Sequence, residues 1–128
     1  MTVAEILARS RWGLEALLDW QENQTIAAEI TTRSVETTMI PGLGFHFLHG
    51  LLAGVVFVWV LPLFPPELPL WVLGPGYGIV LFALTLVIHK PITGRAPWSG
   101  RLGSVALGVS LLAHIIYGAA LALLVVWP

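Results

Sequence analysis

Apolar residues run through this chain in three long blocks, after an N-terminal segment in which apolar and polar positions alternate at helical spacing. No Asp, Glu, Lys or Arg occurs from Thr37 to Pro66, from Leu68 to His89 or from Leu102 to Pro128. A membrane-crossing helix needs about 20 predominantly apolar residues, so each block is long enough. The pattern predicts spans at about 43–63, 70–89 and 102–127. Residues 3–20 predict an amphipathic helix, with Val3, Ile6, Leu7, Leu14, Leu17 and Leu18 on one face. Glu5, Arg9, Glu15 and Asp19 fall mostly off that face. Membrane-surface helices usually carry basic polar faces, whereas this one is acidic, which points to a protein partner. Residues 22–40 are too polar to span alone and predict a helix that follows the surface and then enters the bilayer. The expected fold is therefore all-α, a polytopic helical membrane protein of three transmembrane helices plus an N-terminal amphipathic helix. Its parts are an interfacial segment, 1–40, and a transmembrane bundle, 41–128.

Proline and glycine mark the joints. Pro41-Gly42 predicts a kink or turn where the first span begins, and Pro62, Pro65 and Pro66 end it. Gly74-Pro75-Gly76-Tyr77-Gly78 interrupts the second span. Tyr77 to His89 alone is 13 residues, about 20 Å as a helix, against a hydrocarbon core of about 30 Å. Residues 70–73 are therefore expected to be embedded too, on a kinked helix. In the third span the small residues Ser104 and Gly108 stand four apart, a spacing that suits close helix approach. Gly50 and Gly118 are further expected packing positions.

Composition narrows the class. Charged residues make up 10% of the 128 positions and hydrophobic ones 57%, whereas soluble domains average about 25% charged. There is no cysteine, so disulfides and thiolate chemistry are excluded. The formal net charge of −1 gives no basis for nucleic-acid binding. The first 20 residues carry Glu5, Glu15 and Asp19 and do not read as a secretory signal.

Charge placement sets the expected orientation. Arg33 precedes the first span, and Lys90, Arg95 and Arg101 fill the second loop, while the first loop and the C-terminus have no basic residue. The positive-inside rule then places the N-terminus in the cytoplasm and the C-terminus outside, in an inner (cytoplasmic) membrane. Trp59, Trp71 and Trp127 fall at the outer interface, as an aromatic belt would. Lys90, Arg95 and Arg101 read as a topology anchor or as contacts to anionic lipid head groups.

The chemistry-bearing residues are histidines. His46-Phe-Leu-His49-Gly50 and His114-Ile-Ile-Tyr117-Gly118 align at an offset of 68, and Trp59 aligns with Trp127. The match suggests a parallel repeat of a helix pair, residues 22–63 against 69–127. Ionisable side chains at membrane depth face protein or a cavity rather than lipid. One role for His46, His49 and His114 is cofactor binding: a b-type haem held by paired imidazoles, or a chlorophyll held by one, with Gly50, Gly54 and Gly118 leaving room for the macrocycle. The other role is structural, each imidazole bonding Ser110, Thr85, Tyr117 or a backbone carbonyl. Depth discriminates: a first helix starting at Leu43 puts His46 too near the membrane edge to face His114, and a start near Ser34 would equalise them.

From Gly42 to Trp127 the chain resembles small prokaryotic four-helix membrane proteins of the YagU-like kind. The resemblance rests on His46, His49, Gly50, His114, Tyr117 and Gly118, and the polar N-terminal segment departs from it. It implies a compact helical bundle and no particular activity. Gly76-Tyr77-Gly78 lacks the Thr-Val that precedes a potassium-filter sequence. No acid or lysine lies within a span to activate a serine. The expected function is thus an accessory, non-catalytic subunit of a larger membrane complex, respiratory or photosynthetic. It is expected to carry no cofactor, and its partners are other membrane subunits, the bilayer, or copies of itself. The alternatives are a tetrapyrrole-binding protein and a small oligomeric channel or transporter built on the interrupted second span.

Overall fold

A computed structural model describes residues 17–33, 39–100 and 102–126. It contains four α-helices, and no strand among the described residues: α1 (Leu18–Thr31), α2 (Met39–Val60), α3 (Leu70–Thr93) and α4 (Ser104–Val126). Three stretches are long and apolar enough to cross a membrane, Ile40–Leu63, Leu70–Thr93 and Ser104–Val126. The chain is a multi-pass helical membrane protein. Of the amphipathic helix expected over 3–20, positions 3–16 lie outside the described residues, as do Arg101 and Trp127.

The helix ends follow from local chemistry. Pro41 lies inside α2, which is already helical at Met39, before Leu43. The helix ends in a 3₁₀ turn, Leu61–Leu63, that contains Pro62. α3 is one continuous helix through Gly74–Gly78. The carbonyl that Pro75 releases belongs to Trp71, only one turn from the helix start. At 24 residues α3 is about 36 Å long, which removes the length deficit of Tyr77 to His89 alone. Gly94 stops it in the left-handed conformation, its N–H bonding the Lys90 carbonyl at 2.9 Å, the usual glycine cap.

α3 and α4 form the tightest pair. Added Cβ atoms on Gly74 and Gly78 would strike the Gly118 and His114 carbonyls, and one on Gly118 would strike Gly74. The two helices therefore touch backbone to backbone along a glycine seam. That seam is the reason for the Gly74-xxx-Gly78 spacing. By contrast, Ser104 and Gly108 are exposed, and a Cβ on Gly108 would meet nothing within 4 Å. The close approach expected there falls instead on Gly74, Gly78 and Gly118.

α1 packs against the transmembrane helices. It lies antiparallel against the start of α2 and beside the end of α3, with Leu18, Trp20, Glu22, Asn23 and Ala27 buried. Asp19 pairs with His46 and Gln24 packs on Gly42, which fixes the antiparallel sense. Three of its other polar side chains bond the helix's own backbone four residues back: Asn23 to the Asp19 carbonyl at 2.8 Å, Thr25 to Gln21 at 2.8 Å and Thr31 to Ala27 at 2.6 Å. Such back-bonding satisfies polar groups locally, so α1 can bury a polar face.

Candidate functional site

α2 and α4 run in the same direction and barely touch, leaving a groove of about 1180 Å³ between them, floored by α3. His46, His49 and His114 all line this groove, with Asp19, Thr85 and Tyr117. Their common level is set by a cross-contact. The Tyr117 hydroxyl donates to the Gly50 carbonyl, 67 residues away. At that register His114 stands opposite Phe47, between His46 and His49. The separation is one short of the 68-residue offset between the two motifs. The Tyr117–Gly50 contact therefore sets the two motifs at a common depth.

Each imidazole has a different setting. His114 Nδ1 donates to the Ser110 carbonyl at 2.7 Å, an oxygen that can only accept, so the ring turns Nε2 toward the Thr85 hydroxyl at 3.4 Å. Phe82 packs on the same ring, centroids 5.9 Å apart. His46 Nδ1 lies 3.4 Å from the Asp19 carboxylate, with its ring edge-on to Trp20. His49 is exposed in the groove. The glycines expected to make room for a macrocycle are occupied otherwise. A Cβ on Gly50 would meet the Tyr117 ring at 4.0 Å, one on Gly54 would lie 3.3 Å from Leu121, and Gly118 belongs to the α3–α4 seam. Among the described residues no group of three or more His, Cys, Asp or Glu is arranged to hold a metal ion.

Polarity is graded along the groove. Asp19, His46, His49, Thr85 and His114 all lie in the half toward the end that carries Lys90, and Asp19 Oδ1 is enclosed there with no hydrogen-bond partner among the described residues. From Gly54 onward the walls are Val55, Val58, Leu121, Leu124 and Val125, with Trp59 and Pro62 at the far mouth.

Beside the groove is a pair that the span pattern does not single out. Glu22 on α1 and His89 on α3 are 2% and 1% exposed, and Glu22 Oε1 lies 3.1 Å from His89 Nδ1. Burial, reinforced by the nearby Asp19 carboxylate, pushes the Glu22 carboxyl up to about 8. Glu22 is thus mostly a neutral acid at pH 7 and donates its proton to Nδ1. The sequence signal for the pair is an acid and a histidine that each flank an apolar stretch. Lys90 and Arg95 are exposed around the α3 terminus, with Lys90 in the last turn, where a cation suits the helix dipole.

Two tyrosines tether α2 to the rest of the bundle. The Tyr77 hydroxyl donates to the Ala53 carbonyl at 2.7 Å, and its ring packs on Phe57 with centroids 5.0 Å apart. Tyr117 supplies the second tether at Gly50.

No family model matches the chain, and neither a curated protein nor a solved structure shows significant similarity to it.

Proposed function

We propose that this protein is an accessory, non-catalytic subunit of a larger membrane complex. The observation that carries the reading is how its intramembrane polar side chains are used. Tyr77, Tyr117 and His114 each bond a backbone carbonyl, and His89 pairs with Glu22. The tyrosines and the Glu22–His89 pair hold the chain's own helices together, and His114 is bonded within its own helix. The buried Ser110 hydroxyl has no partner among the described residues to activate it. The face of α2 turned away from the groove, with Leu48, Leu52 and Val56, is an exposed apolar stripe open to a neighbouring subunit.

The membrane is a prokaryotic inner membrane. Arg33, Lys90 and Arg95 gather at one end of the bundle, and the positive-inside rule makes that end cytoplasmic.

The chain has no cysteine, so single-cysteine variants give clean cross-links. Cysteine at Leu48 or Leu52, cross-linked in native membranes and identified by mass spectrometry, is expected to capture one other membrane subunit reproducibly. A stable monomer that purifies alone under mild detergent, with no cross-linked partner from either position, would sink the proposal.

A further inference from the structure

The groove between α2 and α4 has a polar end, an apolar end and a length. From His46 to Pro62 the wall spans 16 residues of helix, about 24 Å at the helical rise. Its volume of about 1180 Å³ exceeds the roughly 300–1,000 Å³ of ordinary ligand pockets. The space is therefore long and narrow in proportion to a chain-like molecule.

The polar end holds two acceptors with room for a donor, beside the His46 and His49 imidazoles. His114 Nδ1–H is already committed to the Ser110 carbonyl, which leaves Nε2 as a lone pair. Its one neighbour there, the Thr85 hydroxyl at 3.4 Å, is at the outer limit of a hydrogen bond. Asp19 Oδ1 is a second acceptor, enclosed and unpartnered among the described residues. A buried acceptor without a donor is costly until one meets it. No Lys or Arg is among the described residues that line the groove, so no permanent positive charge there would neutralise a phosphate.

We infer that the groove binds a single-chain amphiphile with an uncharged, hydroxyl-bearing head. The head donates hydrogen bonds at the level of Asp19 and His114. The long apolar tail lies along Val55, Val58, Leu121 and Leu124 toward Trp59. Two kinds of lipid carry this chemistry, a quinol with a long side chain and an acylglycerol. A phospholipid does not, because its anionic head would face the Asp19 carboxylate. The inference does not depend on whether the chain works inside a larger complex.

The test is native mass spectrometry of the full chain released from a neutral detergent, with three probes of equal chain length. These are an alkyl hydroquinone, a monoacylglycerol and an alkyl phosphate. One molecule per chain of a hydroxyl-headed probe is expected, held about tenfold or more tightly than the phosphate. The tighter of the two hydroxyl probes identifies the source. His114→Phe keeps the ring and removes the acceptor, and is expected to lower that affinity about tenfold. Val58→Trp fills the tail channel and is expected to abolish binding, with Leu124→Trp as the replacement should the first variant lose its fold. Equal retention of all three probes, or no adduct of either hydroxyl-headed probe, overturns the inference. So does a Soret band on addition of haem that His114→Phe removes, since that assigns the groove to a tetrapyrrole.

Discussion

Glu22 on the short polar helix and His89 near the end of the second span face each other at 3.1 Å, almost completely enclosed by protein. The pair joins α1 to the transmembrane bundle. An acid with its carboxyl raised to about 8 binds its proton more tightly when folded than when unfolded, where it titrates near 4.5. Its contribution is fully present below about pH 4.5 and is lost as pH rises through 8. Protease protection of α1, followed from pH 5 to 9, is expected to fall across that window. Glu22→Gln keeps a neutral hydrogen-bonding group and is expected to flatten the curve, and at pH 9 to exceed the parent protein in stability. A parent curve that stays flat, or one that rises with pH, contradicts the assignment.

Removing one member of the pair differs from neutralising it. Glu22→Ala leaves the His89 imidazole buried without its partner, a change expected to cost about 1–3 kcal/mol, the penalty of a buried polar group left unsatisfied. His89→Leu in the same chain is expected to recover part of that loss, because no orphan then remains. Reversible unfolding in mixed micelles measures both, and additive losses would show that the two residues do not act together.

The glycine seam makes a sharper contrast. Gly118→Ala drives a Cβ into the Gly74 backbone, and Gly74→Ala meets the Ala122 Cβ at 2.7 Å as well as the Gly118 carbonyl. Each is expected to destabilise by roughly 1–3 kcal/mol, the cost of overpacking a filled interface. Gly108→Ala and Gly76→Ala meet nothing within 4 Å and are expected to be neutral or to stabilise by up to about 1 kcal/mol through helix propensity. Thermal melts of the four variants in one detergent test the ranking.

Tyr77→Phe and Tyr117→Phe each remove one hydroxyl bond to α2. Bonds of this kind contribute about 0.6 kcal/mol on average within membranes. The single variants are expected to fold with small losses. The double variant frees the wall of the groove, which a spin-label distance between α2 and α4 would register as a broader distribution. An unchanged distribution would mean that apolar packing alone fixes the wall.

The three spans are legible because lipid imposes a coarse rule, about 20 apolar residues without charge, and the blocks obey it. Their ends shift by up to four residues for reasons the blocks do not contain: a proline tolerated inside the helix at Pro41, and a glycine cap at Gly94 that lets α3 run past His89. The parallel placement of the two histidine motifs is also written in their spacing. The glycine seam is harder to read. Ser104 and Gly108 offer the same small-residue spacing as Gly74 and Gly78, and only the rotation of α4 about its axis, set by Gly118, decides which pair is used. α1 is least legible. A stretch with Asp19, Glu22 and Asn23 reads as solvent-facing until a histidine from elsewhere in the chain is brought to it.

The contact of α3 with α4 also governs how this molecule can move. Where two helices meet through backbone atoms, no side chain lies between them to change rotamer, and the pair has a single way of fitting together. It behaves as one stiff plate. α2 is fastened to that plate by two tyrosine hydroxyls and the Phe57 ring. Any change in the width of the groove must therefore be a swing of α2 as a rod about those fastenings. The Glu22–His89 latch, acting through α1 on the near end of that rod, has the longest lever arm over it.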